Sequence, residues 1–225
     1  MPRALIFWGG WEGHEPKACA AFVADMLTKD GFTVETSDTL ALLEDADRLK
    51  RKKLIVPCWT MGQLTPAQES GLVGAIESGV GLAGFHGGMG DAFRTSTAYQ
   101  FMVGGQFVAH PGDMVPYDVR IIDSQHPITQ GIGDFSITTE QYYMHVDPSN
   151  RVLATTTFGP KPHPWIDGVV MPVVWTREHG KGRIAYCSIG HSLADIKHRK
   201  VREIIRRSMI WAADAPASTR SALTA

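Results

Sequence analysis

The chain has 225 residues with 22 Lys+Arg against 23 Asp+Glu, so its formal net charge of -1 provides no global basic field for a phosphate backbone or an anionic membrane surface. Nucleic acid and membrane are therefore excluded as first partners. Hydrophobic residues at 44% and charged residues at 20% suit a compact core and exclude the composition of a disordered chain.

The length predicts one domain over residues 1–214, with the small, polar run 215–225 expected to fray. The start, MPRALIFWGGWEGHEP, is broken by two glycines and an acid and lacks the long apolar core of a secretory signal. No run approaches the roughly 18 apolar residues of a spanning helix. A cytoplasmic location is expected. Cys19, Cys58 and Cys187 are odd in number and form no CxxC pair, which argues against a disulfide framework and a thiolate zinc site.

Arg3 to Trp8 is an apolar run that stops at Gly9-Gly10, the pattern of a central strand. Pro16 then opens a helix with Ala18, Phe22, Val23, Met26 and Leu27 at helical spacing, and Gly31 closes it. A strand is expected at Phe32 to Thr36, a helix at Leu40 to Lys50 and a short apolar strand at Leu54 to Val56. Thr65-Pro66-Ala67-Gln68 has capping-box order and starts a helix that Gly79 ends. Gly81 to Phe85 is the fourth strand, leading into His86-Gly87-Gly88 and a helix from Asp91 to Met102.

Strands alternating with helices imply a parallel sheet covered on both faces, with ligands gathering beyond the carboxyl ends of the strands. The second half changes character. Val115 to Ile122, Phe135 to Thr139, Val152 to Thr157, Val170 to Trp175 and Arg183 to Ile189 are strand-like and separated by loops, and Glu178 to Gly182 reads as a hairpin turn. A final helix is expected from Ile196 to Ala213. The fold class is α/β, a flavodoxin-like three-layer parallel sheet with an antiparallel extension in the second half.

Gly84-Phe85-His86-Gly87-Gly88 is the sharpest local feature, because a strand must turn tightly into a helix there. A nucleophile elbow has this shape, but its tip ordinarily carries Ser or Cys. Imidazole at the tip removes covalent acyl chemistry and leaves proton transfer near neutral pH. The alternative is a histidine that only bonds backbone within the turn. No GxGxxG precedes a helix, so a dinucleotide is not indicated.

Together with the elbow, the stretches Gly10 to Pro16, Met102 to Pro111 and Gly182 to Ser192 resemble the trehalose-utilisation (ThuA-like) family over about residues 3 to 212. The resemblance implies a fold like that of class I glutamine amidotransferases without their catalytic cysteine. It also implies a role in breaking down trehalose and related disaccharides alongside dehydrogenases that make 3-keto sugars. It places His191 where that fold keeps its triad histidine, facing His86. Glu140 belongs to the family stretch Glu140 to His145, in which an acid precedes aromatics.

His86, His191 and Glu140 are thus the candidate catalytic acid, base and orienting groups. Trp11, His14, His110 and His145 are candidate substrate contacts, Trp11 either stacking on a sugar ring or packing in the core. Neutral imidazole is a common zinc ligand, and His14, His86 and His145 form a candidate divalent-metal set that could converge only through tertiary structure. His126, His163, His179 and His198 receive no role.

The leading expectation is a carbohydrate-processing enzyme acting on a 3-keto sugar by acid–base chemistry, an isomerase, lyase or hydrolase and not a glutaminase. A non-catalytic sugar-binding or regulatory module on the same fold is the alternative. The expected partner is a small sugar, and a homo-oligomer is left open.

Overall fold

The computed structural model describes residues 1–214, so the tail expected to fray lies outside the described residues. The first half runs β1 (Arg3–Gly10), α1 (Pro16–Lys29), β2 (Thr33–Ser37), α2 (Ala46–Lys50), β3 (Leu54–Thr60), α3 (Pro66–Glu77) and β4 (Gly81–Phe85). It continues through α4 (His86–Gly90), α5 (Thr97–Val103) and β5 (Gly105–Ala109). The second half has β6 (Met114–Ile121), β7 (Phe135–Glu140), β8 (Tyr143–Val146), β9 (Arg151–Thr157), β10 (Val170–His179) and β11 (Gly182–Cys187), and α6 (Leu193–Lys197) and α7 (Arg199–Ala213) follow.

One nine-stranded sheet in the order β2-β1-β3-β4-β11-β10-β9-β6-β7 spans both halves. Pairing is parallel from β2 through β11 and antiparallel from β11 through β7. This is the α/β, flavodoxin-like arrangement with an antiparallel extension. Successive residues of β1 show why the sheet is covered twice: Ala4 and Ile6 join the core shared with α1 and α7, whereas Leu5 and Phe7 join the core shared with α3 and α5. A strand with period two and both faces apolar is stable only between two helical layers.

Four elements differ from the sequence reading. The run Leu40 to Lys50 is split, because the Asp45 side chain accepts from the Arg48 N–H and caps a new helix after a short 3-10 turn. The expected helix from Asp91 to Met102 begins only at Thr97, capped by Ser96. Upstream, Met61 N–H donates to the Asp91 carbonyl and Phe93 N–H to the Met61 carbonyl, so tertiary pairing takes the bonds that a helix would use.

The final helix is two helices divided at His198, and the first starts earlier, at a Ser192–Asp195 capping box. Finally, β5 and β8 pair with each other as a separate two-stranded sheet. Strands of five and four residues are too short to show alternation clearly.

Among the described residues, no helix is long and apolar enough to cross a membrane.

Candidate active site

The carboxyl ends of β1, β3, β4 and β11 open on one side of the sheet, and each delivers a polar side chain there. At the end of β1, Gly9 and Gly10 have positive φ, and a Cβ on Gly10 would meet the Thr60 carbonyl oxygen at 2.0 Å. Glycine therefore lets the chain cross β3 at contact distance. A 3-10 turn, Glu12–His14, then buries His14, whose Nδ1 lies 2.7 Å from Thr60 Oγ1 at the end of β3. The Glu15 carboxylate accepts from Leu193 N–H and ties this loop to α6.

His86 sits at the elbow between β4 and α4 with φ 46, a left-handed conformation that costs a non-glycine residue about 1–3 kcal/mol. The next residue must be glycine, since a Cβ on Gly87 would lie 2.4 Å from His14 Cε1. The His86 ring is 1% exposed. Its Nδ1 donates to the Ser188 carbonyl at 2.9 Å, which turns Nε2 toward Glu140 Oε2 at 3.0 Å. Tyr142 stacks on the other side of the ring, with centroids 4.0 Å apart.

Glu140 ends β7 and is the contribution of the antiparallel extension. Its Oε1 lies 3.2 Å from His191 Nδ1 and 3.8 Å from His110 Nε2. The imidazole centroids of His14, His86 and His191 are 4.7–5.6 Å apart, and Trp11 lies 4.7 Å from His14. The structure thus brings Trp11, His14, His86, His110, Glu140 and His191 into one cluster.

His145 does not join it. Strand alternation in β8 turns Met144 inward and His145 outward to solvent, so the expected metal set of His14, His86 and His145 is not formed. His191 and Glu140 stand with His14 and His86 instead, and one ligand atom from each of the four lies within 4.8 Å of the others.

Burial and the neighbouring imidazoles hold the His14 pKa down to about 3, so this ring is neutral. Burial also lowers the pKa of His86, opposed by Glu140 and the Ser188 carbonyl. For Glu140, burial favours the acid, but the His86 contact and the surrounding imidazoles outweigh it and hold the carboxyl down at about 2. Because the Ser188 carbonyl only accepts, Nδ1 of His86 keeps its hydrogen. A bare Nε2 lone pair would then face a carboxylate lone pair at 3.0 Å, so a proton is shared between the two atoms.

A cavity of about 180 Å³ opens on the cluster, lined by Trp11, His14, Met61, Asp91, Arg94, Phe107, His110, Glu140 and Tyr142. A depression of about 420 Å³ beside Tyr117, Arg120 and Lys161 is larger, but the four-ligand cluster does not line it. Sequence reasoning gave no role to Asp91, Arg94 or Tyr142. Arg94 holds Asp91 through two hydrogen bonds of 2.6 and 2.8 Å, an i,i+3 pair whose spacing looked helical.

Burial pushes the Cys19 and Cys187 thiols up to about 12 and raises Cys58 further, so all three remain protonated at neutral pH.

The fold and the elbow define a class, flavodoxin-like α/β proteins in which a histidine stands at the tip of a strand-to-helix turn. Within that class the chain belongs to the ThuA family, whose model, described as trehalose utilisation, matches residues 3–212.

Two structures of proteins described as ThuA-like are similar. One, from Bacteroides uniformis, has a TM-score of 0.77 and 20% identity, covering 94% of this chain and 91% of the other. The second, from Parabacteroides merdae, has a TM-score of 0.78 and 16% identity, covering 98% and 93%. A β-galactosidase from Bacillus circulans sp. alkalophilus shares the fold over 94% of this chain and 30% of its own, with a TM-score of 0.59 and 13% identity. No curated protein matches the chain.

Proposed function

We propose that the protein is a carbohydrate-processing enzyme of trehalose and related disaccharide utilisation, acting beside the carbonyl of a 3-keto sugar by acid–base chemistry without a cysteine nucleophile. The family supports the sugar. The observation that carries the chemistry is the buried His86–Glu140 contact, whose Glu140 lines the cavity of about 180 Å³.

A ketone acidifies the neighbouring C–H. When that bond breaks, its electron pair moves toward the carbonyl oxygen, so the barrier falls if positive charge is already placed at that oxygen. His86, Glu140 and His191 hold that charge in this reading. His110 is the accessible proton acceptor: its side chain is 35% exposed and lines the cavity, and the Asp113 carboxylate lies 3.2 Å from its Nδ1. Trp11, 47% exposed at the cavity mouth, offers an apolar face to the sugar ring. A glutaminase reaction is disfavoured because the elbow carries imidazole and the thiols stay protonated. A cytoplasmic location belongs to the same proposal.

The test is solvent deuterium incorporation into a 3-keto disaccharide, followed by mass spectrometry, for the wild type and His86→Gln. Exchange is expected to fall at least about 100-fold in a variant that still unfolds cooperatively, within the range typical for a lost stabiliser of charge developing on the carbonyl oxygen. Undiminished exchange in the folded variant would remove His86 from the mechanism and leave it as a turn residue.

A further inference from the structure

We infer that His14, His86, Glu140 and His191 form a binding site for one divalent cation of the zinc class. The four residues come from separate places in the fold: the turn after β1, the elbow after β4, the end of β7 and the loop after β11. One ligand atom of each lies within 4.8 Å of the others. Ligands about 2.0–2.2 Å from zinc lie roughly 3.3–3.6 Å from one another. The His86–Glu140 Oε2 and His191–Glu140 Oε1 contacts, at 3.0 and 3.2 Å, are slightly shorter than that spacing and use the two oxygens of one carboxylate.

Three further observations point to an ion. Two of the imidazoles are anchored through Nδ1, His14 by Thr60 and His86 by the Ser188 carbonyl; this leaves Nε2 of His14 uncommitted and turns Nε2 of His86 toward Glu140. Such outer partners characterise histidine metal ligands, whose tautomer and orientation they set. His191 Nδ1 is buried without a hydrogen-bond partner, although Glu140 Oε1 is near. An ion between them would satisfy this nitrogen and take the place of the proton between His86 and Glu140.

Three imidazole nitrogens with one carboxylate suit zinc and its neighbours, whereas calcium and magnesium prefer all-oxygen sets. Where the shared proton would leave the cluster neutral overall, a divalent cation on one carboxylate leaves a net positive charge. The cluster borders the cavity lined by Trp11 and His110, so a ligand oxygen could approach the ion from that side. The inference deepens the functional reading only by naming what polarises the carbonyl; cation binding stands without it.

The wild-type protein, dialysed against chelator, would be titrated with Co²⁺ while visible d–d absorption is recorded, and its Zn²⁺ affinity measured by calorimetry. One ion per chain is expected. His191→Gln and Glu140→Gln should each weaken binding at least about 100-fold, at or beyond the upper end of second-shell losses. His145→Gln should bind as the wild type does, which excludes capture by an exposed histidine.

A folded wild-type chain that takes up no stoichiometric ion, or equal loss in His145→Gln, would overturn the inference. If the ion binds and the keto sugar does not exchange deuterium, the functional reading fails and the cation site stands. If the ion binds but chelated protein exchanges at the full rate, the cation site and the functional reading both stand and the ion is not what polarises the carbonyl.

Discussion

The parallel half of the sheet and its antiparallel extension contribute to the site in different ways. The parallel half presents His14 and His86 from turns at the carboxyl ends of β1 and β4, above a core that is apolar on both faces. β11, shared by the two regions, supplies His191. The extension sends in Glu140 from the sheet's edge strand β7, with Tyr142 just beyond. The imidazoles are thus positioned by the common α/β architecture, and the carboxylate that gives them a charge partner depends on how the extension docks. If this is correct, changes along the docking seam should weaken function or stability more than changes in the outer parallel layer.

The largest effect after His86 itself is expected at Tyr142. Its ring stacks on His86 and holds the imidazole against the Glu140 carboxylate. Tyr142→Leu keeps an apolar side chain but removes the stacking plane, and exchange on a keto sugar should fall roughly 10–100-fold, as expected for misplaced catalytic groups. Unchanged turnover would mean that the extension does not position the elbow.

A moderate effect on stability is expected at Thr139, whose hydroxyl donates to the buried Asp195 carboxylate at 2.8 Å and links β7 to α6. Thr139→Val removes one partner from that carboxylate and should cost about 1–3 kcal/mol in denaturant unfolding. A midpoint equal to the wild type's would show that the seam is held elsewhere.

Glu35 provides the contrasting case in the outer parallel layer, where it pairs with Lys52 and Arg48. Burial would raise its carboxyl, but those two cations outweigh it and hold the pKa below the ordinary value. Its contribution is therefore present above the usual carboxylate range and is lost as pH falls through the depressed value. Since the pair is partly exposed, Glu35→Gln should cost only about 0.2–1 kcal/mol at neutral pH. Thermal unfolding at neutral and acidic pH should show that difference shrinking in acid. A gap that grows in acid would reverse the sign of the argument.

How much the sequence revealed follows the same division. The β-α-β rhythm and the elbow were legible because their signals are local: an apolar strand, glycines at a turn, a capping box. His86 stands at that elbow, and the resemblance placed His191 opposite it, whereas His14 was expected only as a substrate contact or metal ligand. His145 was misjudged because Glu140 to His145 reads as one continuous loop, whereas Tyr143–Val146 pairs with β5 and alternation turns His145 outward. Asp91 and Arg94 were hidden inside a helical spacing that backbone pairing with Met61 overrides. In both cases the deciding partner is distant in sequence, so no local window contains the information.

The central claim, that the cluster joining the two regions moves protons beside a sugar ketone, is tested most directly by following the wild-type protein with a 3-keto disaccharide in deuterium oxide. Mass spectrometry and proton NMR would locate any label. The account predicts enzyme-dependent deuterium at a carbon adjacent to the ketone. A folded protein that incorporates no deuterium at those carbons, with or without added zinc, would contradict it.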